Sequence, residues 1–213
     1  MPATQGLFIT FEGCEGAGKS LQCKKLRAFL LKRGVDAVLT REPGGTTVGE
    51  QIRGVILDTN NTRMSPVAEV LLYAAARAQH VNEVIKPALE DGRIVICDRF
   101  IDSSVAYQGD ARGLLPETIA EVNRFATGGL QPDVTFFIDI EPEDSFARKN
   151  ARSGRDRIEM EAMAFHRRVY EGYKRIAAAD ANRVVTIDGY RGSGAVHADI
   201  VNKINHILLE RGF

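Results

Sequence analysis

The residues with the clearest chemistry are Gly13-Cys14-Glu15-Gly16-Ala17-Gly18-Lys19-Ser20, spaced as G-x-x-x-x-G-K-S. In that order glycines let successive main-chain N–H groups curl round phosphate oxygens. Lys19 adds a positive charge, and Ser20 offers Mg2+ a hydroxyl. A helix beginning at this point directs its partial positive end at the same anion. The loop therefore predicts a bound nucleoside triphosphate, and by itself it does not name the chemistry.

Such a loop needs a strand to aim it and a helix to back it, and both are legible. Leu7-Phe8-Ile9-Thr10-Phe11 precedes it, and Leu21 to Arg33 carries apolar residues at helical spacing before Gly34. Further strands are expected over Val35–Thr40, Arg93–Asp98, Asp133–Ile140 and Val184–Asp188. Between them the pattern predicts helices. A capping box at Thr47–Glu50 opens one to about Leu57, and Ser65-Pro66 starts a long one toward Leu89 that Pro87 bends or restarts. Others are expected over Ser103–Gln108, Pro116–Thr127, from Pro142 into a basic segment, over Glu159–Ala179 and over Ser193–Arg211. Strands alternating with helices imply a five-stranded parallel sheet covered on both faces, with ligands at the strands' carboxyl ends. The fold class is thus an α/β P-loop NTPase, a five-stranded parallel sheet with helices on both faces, expected as one domain over residues 1–213.

Composition narrows the partners. Lys plus Arg and Asp plus Glu number 28 each, so no overall basic surplus points to nucleic acid or a membrane surface. The three cysteines, Cys14, Cys23 and Cys97, lack zinc spacing and read as reduced thiols of a cytoplasmic protein. Neither a signal peptide nor a long apolar span is expected.

The class of chemistry follows from what accompanies the loop. The GTPase base-reading N-K-x-D motif is absent from the sequence; Asn202-Lys203-Ile204-Asn205 lacks the Asp and falls in an apolar-striped helix. Arginines recur at Arg53, Arg77 and Arg99, and then Arg148, Lys149, Arg152, Arg155 and Arg157 gather around a single acid, Asp156. A run of this kind is also what a solvated helix face looks like. Phosphoryl transfer, however, requires charge to be neutralised on the moving group, and the loop places an acid, Glu15, at its variable position rather than an arginine. The basic segment at about 148–158, hinged at Gly154, is then a lid that brings the missing cations. An acceptor that is a phosphate monoester, with a second pKa of about 6, is already largely a dianion at neutral pH and needs no general base.

Taken in order, these residues resemble one family, the bacterial type of thymidylate kinase. The resemblance rests on the acidic phosphate loop, Thr40-Arg41-Glu42-Pro43-Gly44-Gly45-Thr46, Ala68-Glu69-Val70-Leu71-Leu72-Tyr73-Ala74-Ala75-Ala76-Arg77, Asp98-Arg99-Phe100, Ser103-Ser104-Val105-Ala106-Tyr107-Gln108-Gly109 and Asp156-Arg157-Ile158-Glu159. It implies phosphorylation of dTMP to dTDP with ATP and Mg2+. Kinases of other nucleoside monophosphates or deoxynucleosides, and a nucleotide-binding switch, are the alternatives.

By the same resemblance, Gly13, Cys14, Glu15, Gly16, Ala17, Gly18, Lys19 and Ser20 hold ATP, while Ser20 and Asp98 flank Mg2+. Glu15 faces the 3′-hydroxyl of the acceptor, Tyr73 stacks on thymine, and Arg77 and Ser104 read its O4 and N3. Tyr107 packs against the deoxyribose, Arg53 and Arg99 hold the acceptor phosphate, and Glu42, Pro43 and Gln108 complete that site. Lys19, Arg99, Arg152, Arg155 and Arg157 are the catalytic candidates; Arg157 alternatively orients the lid through Asp156 or Glu159. The resemblance further implies a fold of the nucleoside monophosphate kinase type, a cis Glu42–Pro43 bond and a homodimer formed through the 65–89 helix; adenine contacts are expected near 188–194 by position alone. Two departures, Ser20 for Thr and Phe100 for Tyr or His, keep the hydroxyl and the ring.

Overall fold

In the computed structural model, residues 6–148 and 156–213 are described. The central strand β1 (Leu7–Glu12) is buried along its whole length. It lies between β3 (Ile94–Asp98) and β4 (Val134–Asp139), while β2 (Ala37–Arg41) and β5 (Val184–Asp188) form the edges, in the order β2-β3-β1-β4-β5. All four pairings are parallel. The period-two alternation of a strand then sorts side chains by face. Leu7, Ile9 and Phe11 pack with Leu26 and Leu30 of α1 (Lys19–Lys32) and with Ile200 and Ile204 of α9 (Ser193–Arg211). Phe8 points the other way, against Phe100, with ring centroids 4.9 Å apart.

Register aligns the strand ends. Arg41 and Phe11 both lie opposite Asp98, and Asp139 lies opposite Asp188, so the loops leaving the sheet share one rim. That rim is where the sequence places the ligands.

The helices follow the expected order with instructive differences. Helix α2 (Thr47–Leu57) is capped by Thr46, whose Oγ1 accepts from the N–H of Gly49 at 2.9 Å, so the cap sits one residue before the expected box. Glu50 is instead drawn back to the Gly45 N–H and to Arg41. Helix α3 (Pro66–His80) starts at the Ser65 cap as expected. The long helix then widens into a π turn over Val81–Ile85 before α4 (Lys86–Glu90). Pro87, which has no N–H to donate to the preceding turn, gives the physical reason for the restart. The expected helix at 103–108 is split into α5 (Ile101–Ser104) and a second π turn, Val105–Ala111. Helices α6 (Pro116–Thr127), α7 (Pro142–Arg148) and α8 (Met163–Ala179) complete the layers. The last begins four residues later than the pattern suggested, because 157–160 form a turn.

One buried charge cluster joins these layers. Glu69 of α3 is 1% exposed and accepts from Gln108, Arg112 and Arg157 at 2.7–3.2 Å. Burial alone would raise its pKa; the hydrogen bonds from Arg112, Gln108 and Arg157 and the charge of Arg112 bring it below the usual carboxylate value instead. A depressed folded-state pKa gives stability that is present above the unfolded pKa and disappears as pH falls through the folded one. Glu69→Gln is therefore expected to cost about 3 kcal/mol at neutral pH, because it strands buried arginine. The gap from wild type should narrow as pH falls through the folded-state pKa of Glu69, which lies below the usual carboxylate value. Urea unfolding across that range checks it; a gap that does not change with pH would show that Glu69 acts by shape alone.

Candidate active site

The phosphate loop is built by the turn from β1 into α1. Gly16 has φ +79°, and a Cβ there would lie 2.2 Å from the carbonyl oxygen of Ser145, so a glycine is required at this position. Gly18, at φ 95°, caps α1 in the left-handed region. Lys19 is only 6% exposed, and its Nζ donates to the Cys14 carbonyl at 2.7 Å, which curls the side chain over the loop. Burial lowers its pKa, Arg99 lowers it further, and Glu15 and Asp98 oppose them. Cys14 itself is buried, and burial pushes its thiol up to about 12, which makes it an inert wall of the loop.

Ser20 Oγ donates to Asp98 Oδ2, joining the first turn of α1 to the end of β3. A hydroxyl and a carboxylate side by side are hard oxygen donors of the kind Mg2+ selects, and both border the main cleft, so these two residues fit the ion.

That cleft has a volume of about 380 Å3 and brings together most of the predicted acceptor residues: Glu15, Glu42, Pro43, Arg53, Tyr73, Arg99, Tyr107 and Gln108. The Glu42–Pro43 peptide is cis, as the resemblance implied. The Pro43 carbonyl receives Arg53 Nη1 at 2.9 Å, so the turn after β2 and helix α2 hold that guanidinium together. Burial and the nearby Arg41 lower the pKa of Arg53. Arg99 is the other cation. Its Nη2 donates to Glu15 Oε1 at 2.5 Å and to the Tyr107 hydroxyl at 3.1 Å. Its Nη1 donates to Ser103 Oγ and the Tyr173 hydroxyl at 3.2 and 3.0 Å.

Arg77 and Ser104 are placed differently. They are 2% and 1% exposed and bonded to each other, Nη1 to Oγ, at 2.9 Å. Arg77 also donates to Glu42, Asn123 and the Phe100 carbonyl, so four of its five N–H groups are engaged behind the cleft. Arg157, a catalytic candidate from the sequence, is 8% exposed and directed away from the cleft. Its Nε donates to the Ile56 carbonyl and its Nη2 to Glu69, both at 2.7 Å. Neither Asp156 nor Glu159 holds it, although both line the cleft. These bonds place Arg157 in the buried cluster around Glu69 rather than on its sequence neighbours. Arg152 and Arg155 lie outside the described residues.

Three polar residues at this site were not singled out from the sequence: Glu12, Ser103 and Tyr173. Glu12 ends an otherwise apolar strand, as Asp98 does, and that parallel was the available signal. Tyr173 carried none, since an aromatic on a helix reads as core. Burial and Asp102 push the Glu12 carboxyl up to about 7, restrained by Arg99 and by hydrogen bonds from Ser103 and Phe100.

A second cleft, also about 380 Å3, opens on the opposite side of the loop. Gly16, Gly18, Gln22, Arg148, Gly189 and Ser193 are among its lining residues, in the region where adenine contacts were expected. Gly16 and Gly18 border both clefts, so the phosphate loop is the wall between them.

The thymidylate kinase family model matches residues 11–200. The chain belongs to the thymidylate kinase family. It is 49% identical over 204 residues to a thymidylate kinase of Thermoanaerobacter sp. (strain X514), an alignment covering 96% of this chain and all of that one. It is 48% identical over 205 residues to a thymidylate kinase of Bacillus velezensis, covering 95% and 97% of the two chains. A crystal structure of thymidylate kinase from Ehrlichia chaffeensis superposes with a TM-score of 0.78 at 34% identity, over 94% of this chain and 98% of that one. Among the described residues no helix is long and apolar enough to cross a membrane.

Proposed function

We propose that this protein transfers the γ-phosphoryl group of ATP to dTMP, giving dTDP and ADP. The observation that carries the reading is the pair of nucleotide-sized clefts separated only by the phosphate loop. Such a wall lets donor and acceptor phosphates meet end to end, the in-line arrangement the transfer needs. A phosphate oxygen of dTMP attacks the γ-phosphorus as the bond to the β-phosphate oxygen of ADP breaks. The attacking group is already ionised, so no side chain has to remove a proton.

The residues divide the work. Main-chain N–H groups of Gly13–Ser20 cradle the donor phosphates, and Lys19 meets the transferring group. Arg53 and Arg99 hold the acceptor phosphate, while Glu15, paired with Arg99, faces the sugar. Tyr73 gives thymine a ring to stack on, and Tyr107 and Gln108 enclose the nucleoside. Arg77, with Ser104 bonded to it, has one N–H left for a thymine carbonyl. Ser20 and Asp98 would hold Mg2+, which when bound neutralises charge on the donor phosphates. Arg152 and Arg155 bring the lid's cations, and Arg157 anchors the lid's return through Glu69. Residues 1–213 act as one domain in the cytoplasm, with neither nucleic acid nor a membrane as partner. A second copy packs on α3, where Val67 and Leu71 are 56% and 54% exposed.

A coupled assay with ATP, Mg2+ and each nucleoside monophosphate tests the assignment. Turnover of dCMP, GMP or UMP at or above that of dTMP would overturn it. One missing methyl is worth ~1–3 kcal/mol, about 10–200-fold. dUMP is therefore expected to be a measurable but inferior substrate by that ratio of kcat/KM.

A further inference from the structure

Arg99 reaches the cleft from an unusual backbone. Its φ is +73°, the one positive value for a non-glycine among the described residues, a conformation that costs about 1–2 kcal/mol. Something must hold it there. The Arg99 N–H donates to the Phe11 carbonyl at 2.9 Å, and the next N–H, of Phe100, donates to Glu12 Oε1 at 2.7 Å. The Ser103 N–H reaches the same oxygen at 3.3 Å. One carboxylate oxygen thus pins the main chain on the far side of Arg99.

The other oxygen governs two hydroxyls. Ser103 Oγ and the Tyr173 hydroxyl donate to Glu12 Oε2 at 2.6 and 2.8 Å. A hydroxyl has one proton and two lone pairs. With each proton directed at Glu12, both present lone pairs toward Arg99 Nη1, which donates to each of them. The two oxygens are only 2.9 Å apart. Without an external acceptor, one hydroxyl would give its proton to the other or turn it toward the guanidinium.

Glu12 is 0% exposed and does not line the cleft, so it touches no substrate. Among the described residues no cation bonds to it directly; Arg99 is linked to it through the hydroxyls. A carboxylate buried in this way is a large desolvation burden on the fold. Asp102 stands close enough to add repulsion, although it is itself held by Arg183.

We propose that Glu12 is a positioning residue for phosphoryl transfer, acting through Ser103 and Tyr173 to hold Arg99 at the acceptor phosphate. The inference rests on the reading of Arg99 as an acceptor-phosphate ligand. Tyr173 suits the task because its ring stacks on Phe137 at 5.5 Å, so its hydroxyl is fixed before substrate arrives.

The test is a set of variants assayed for kcat/KM with dTMP and, separately, for ATP affinity by calorimetry. Glu12→Gln keeps the shape but places an NH2 group where a donor must be accepted, and Tyr173→Phe removes one hydroxyl. Each should lower kcat/KM for dTMP by about 10–100-fold, the worth of a hydrogen bond to a charged group. ATP affinity should stay within about twofold. In an Arg99→Ala background, Tyr173→Phe should cause no further loss of kcat/KM, whereas a residue that merely stabilises the fold would add its loss there too. Should Glu12→Gln not fold, Ser103→Ala with Tyr173→Phe interrupts the same path and leaves the Oε1 bonds in place. Wild-type kcat/KM in the folded variants, or an undiminished loss from Tyr173→Phe in the Arg99→Ala background, would overturn the inference. Arg99→Ala with normal dTMP kinetics would instead overturn the reading beneath it.

Discussion

Lys19→Ala is expected to lower kcat by on the order of 10²–10³-fold, the cost of removing one preorganised donor from developing charge. At 6% exposure the ammonium is already largely stripped of water, so its field acts on phosphate with little screening. Its bond to the Cys14 carbonyl fixes the side chain across the loop before ATP arrives. Burial and Arg99 lower the Lys19 pKa, and an incoming phosphate anion favours its ionised form. Because among the described residues Lys19 donates to the Cys14 carbonyl and forms no ion pair within 4 Å, the variant should fold. A melting temperature close to wild type together with lost turnover is the expected pair of results. Near-normal kcat would refute the assigned role of the loop.

The legibility of this chain divides along a physical line. Contacts that are local in sequence could be read in advance. The strand–loop–helix at 7–32, the Ser65-Pro66 helix start and the closing helix at 193–211 all stand where spacing and capping put them. The rim could be read too, since parallel strands leave their carboxyl ends on one side. What could not be read were choices between competing partners. Arg157 had Asp156 and Glu159 beside it in sequence but bonds to Glu69, 88 positions away, in a buried cluster with Gln108 and Arg112 that only the tertiary fold assembles. Thr46, not Thr47, caps α2, because the Gly44-Gly45 turn delivers the chain one residue earlier. The hydroxyls behind Arg99 come from α5 and α8, 70 residues apart, and no periodicity announces that meeting. The family resemblance covered Arg157, Thr46 and Ser103 with its motifs without anticipating these partners, and it offered no motif for Glu12.

Glu15 is where the two halves of the site meet. An acid in a phosphate loop works against the loop's own task, since it repels the anion the loop is built to hold. Its bond to Arg99 resolves the conflict: the carboxylate is turned toward the acceptor side and compensated there. The same bond couples the loop to β3, so the donor and acceptor sites share one electrostatic element rather than two independent ones.

Arg99→Ala should therefore fall mainly on the acceptor side, and hard. Removing a guanidinium that grips a phosphate in a largely desolvated site costs about 2–5 kcal/mol, so kcat/KM for dTMP should fall on the order of 10²–10³-fold. The loss has two sources. The acceptor phosphate loses its ligand, and Glu15 loses the charge that turns it from the donor phosphates. The first raises KM for dTMP; the second lowers kcat, because the loop then presents an opposed charge to the moving group. ATP affinity should change little, since Lys19 and the N–H groups of the loop remain. Calorimetry with a nonhydrolysable ATP analogue, beside steady-state kinetics with dTMP, separates the two. Arg99→Lys should recover only part of the loss, because an ammonium on a shorter stem cannot meet Glu15, Tyr107, Ser103 and Tyr173 together. A defect confined to ATP would place Arg99 on the donor side and contradict the assignment.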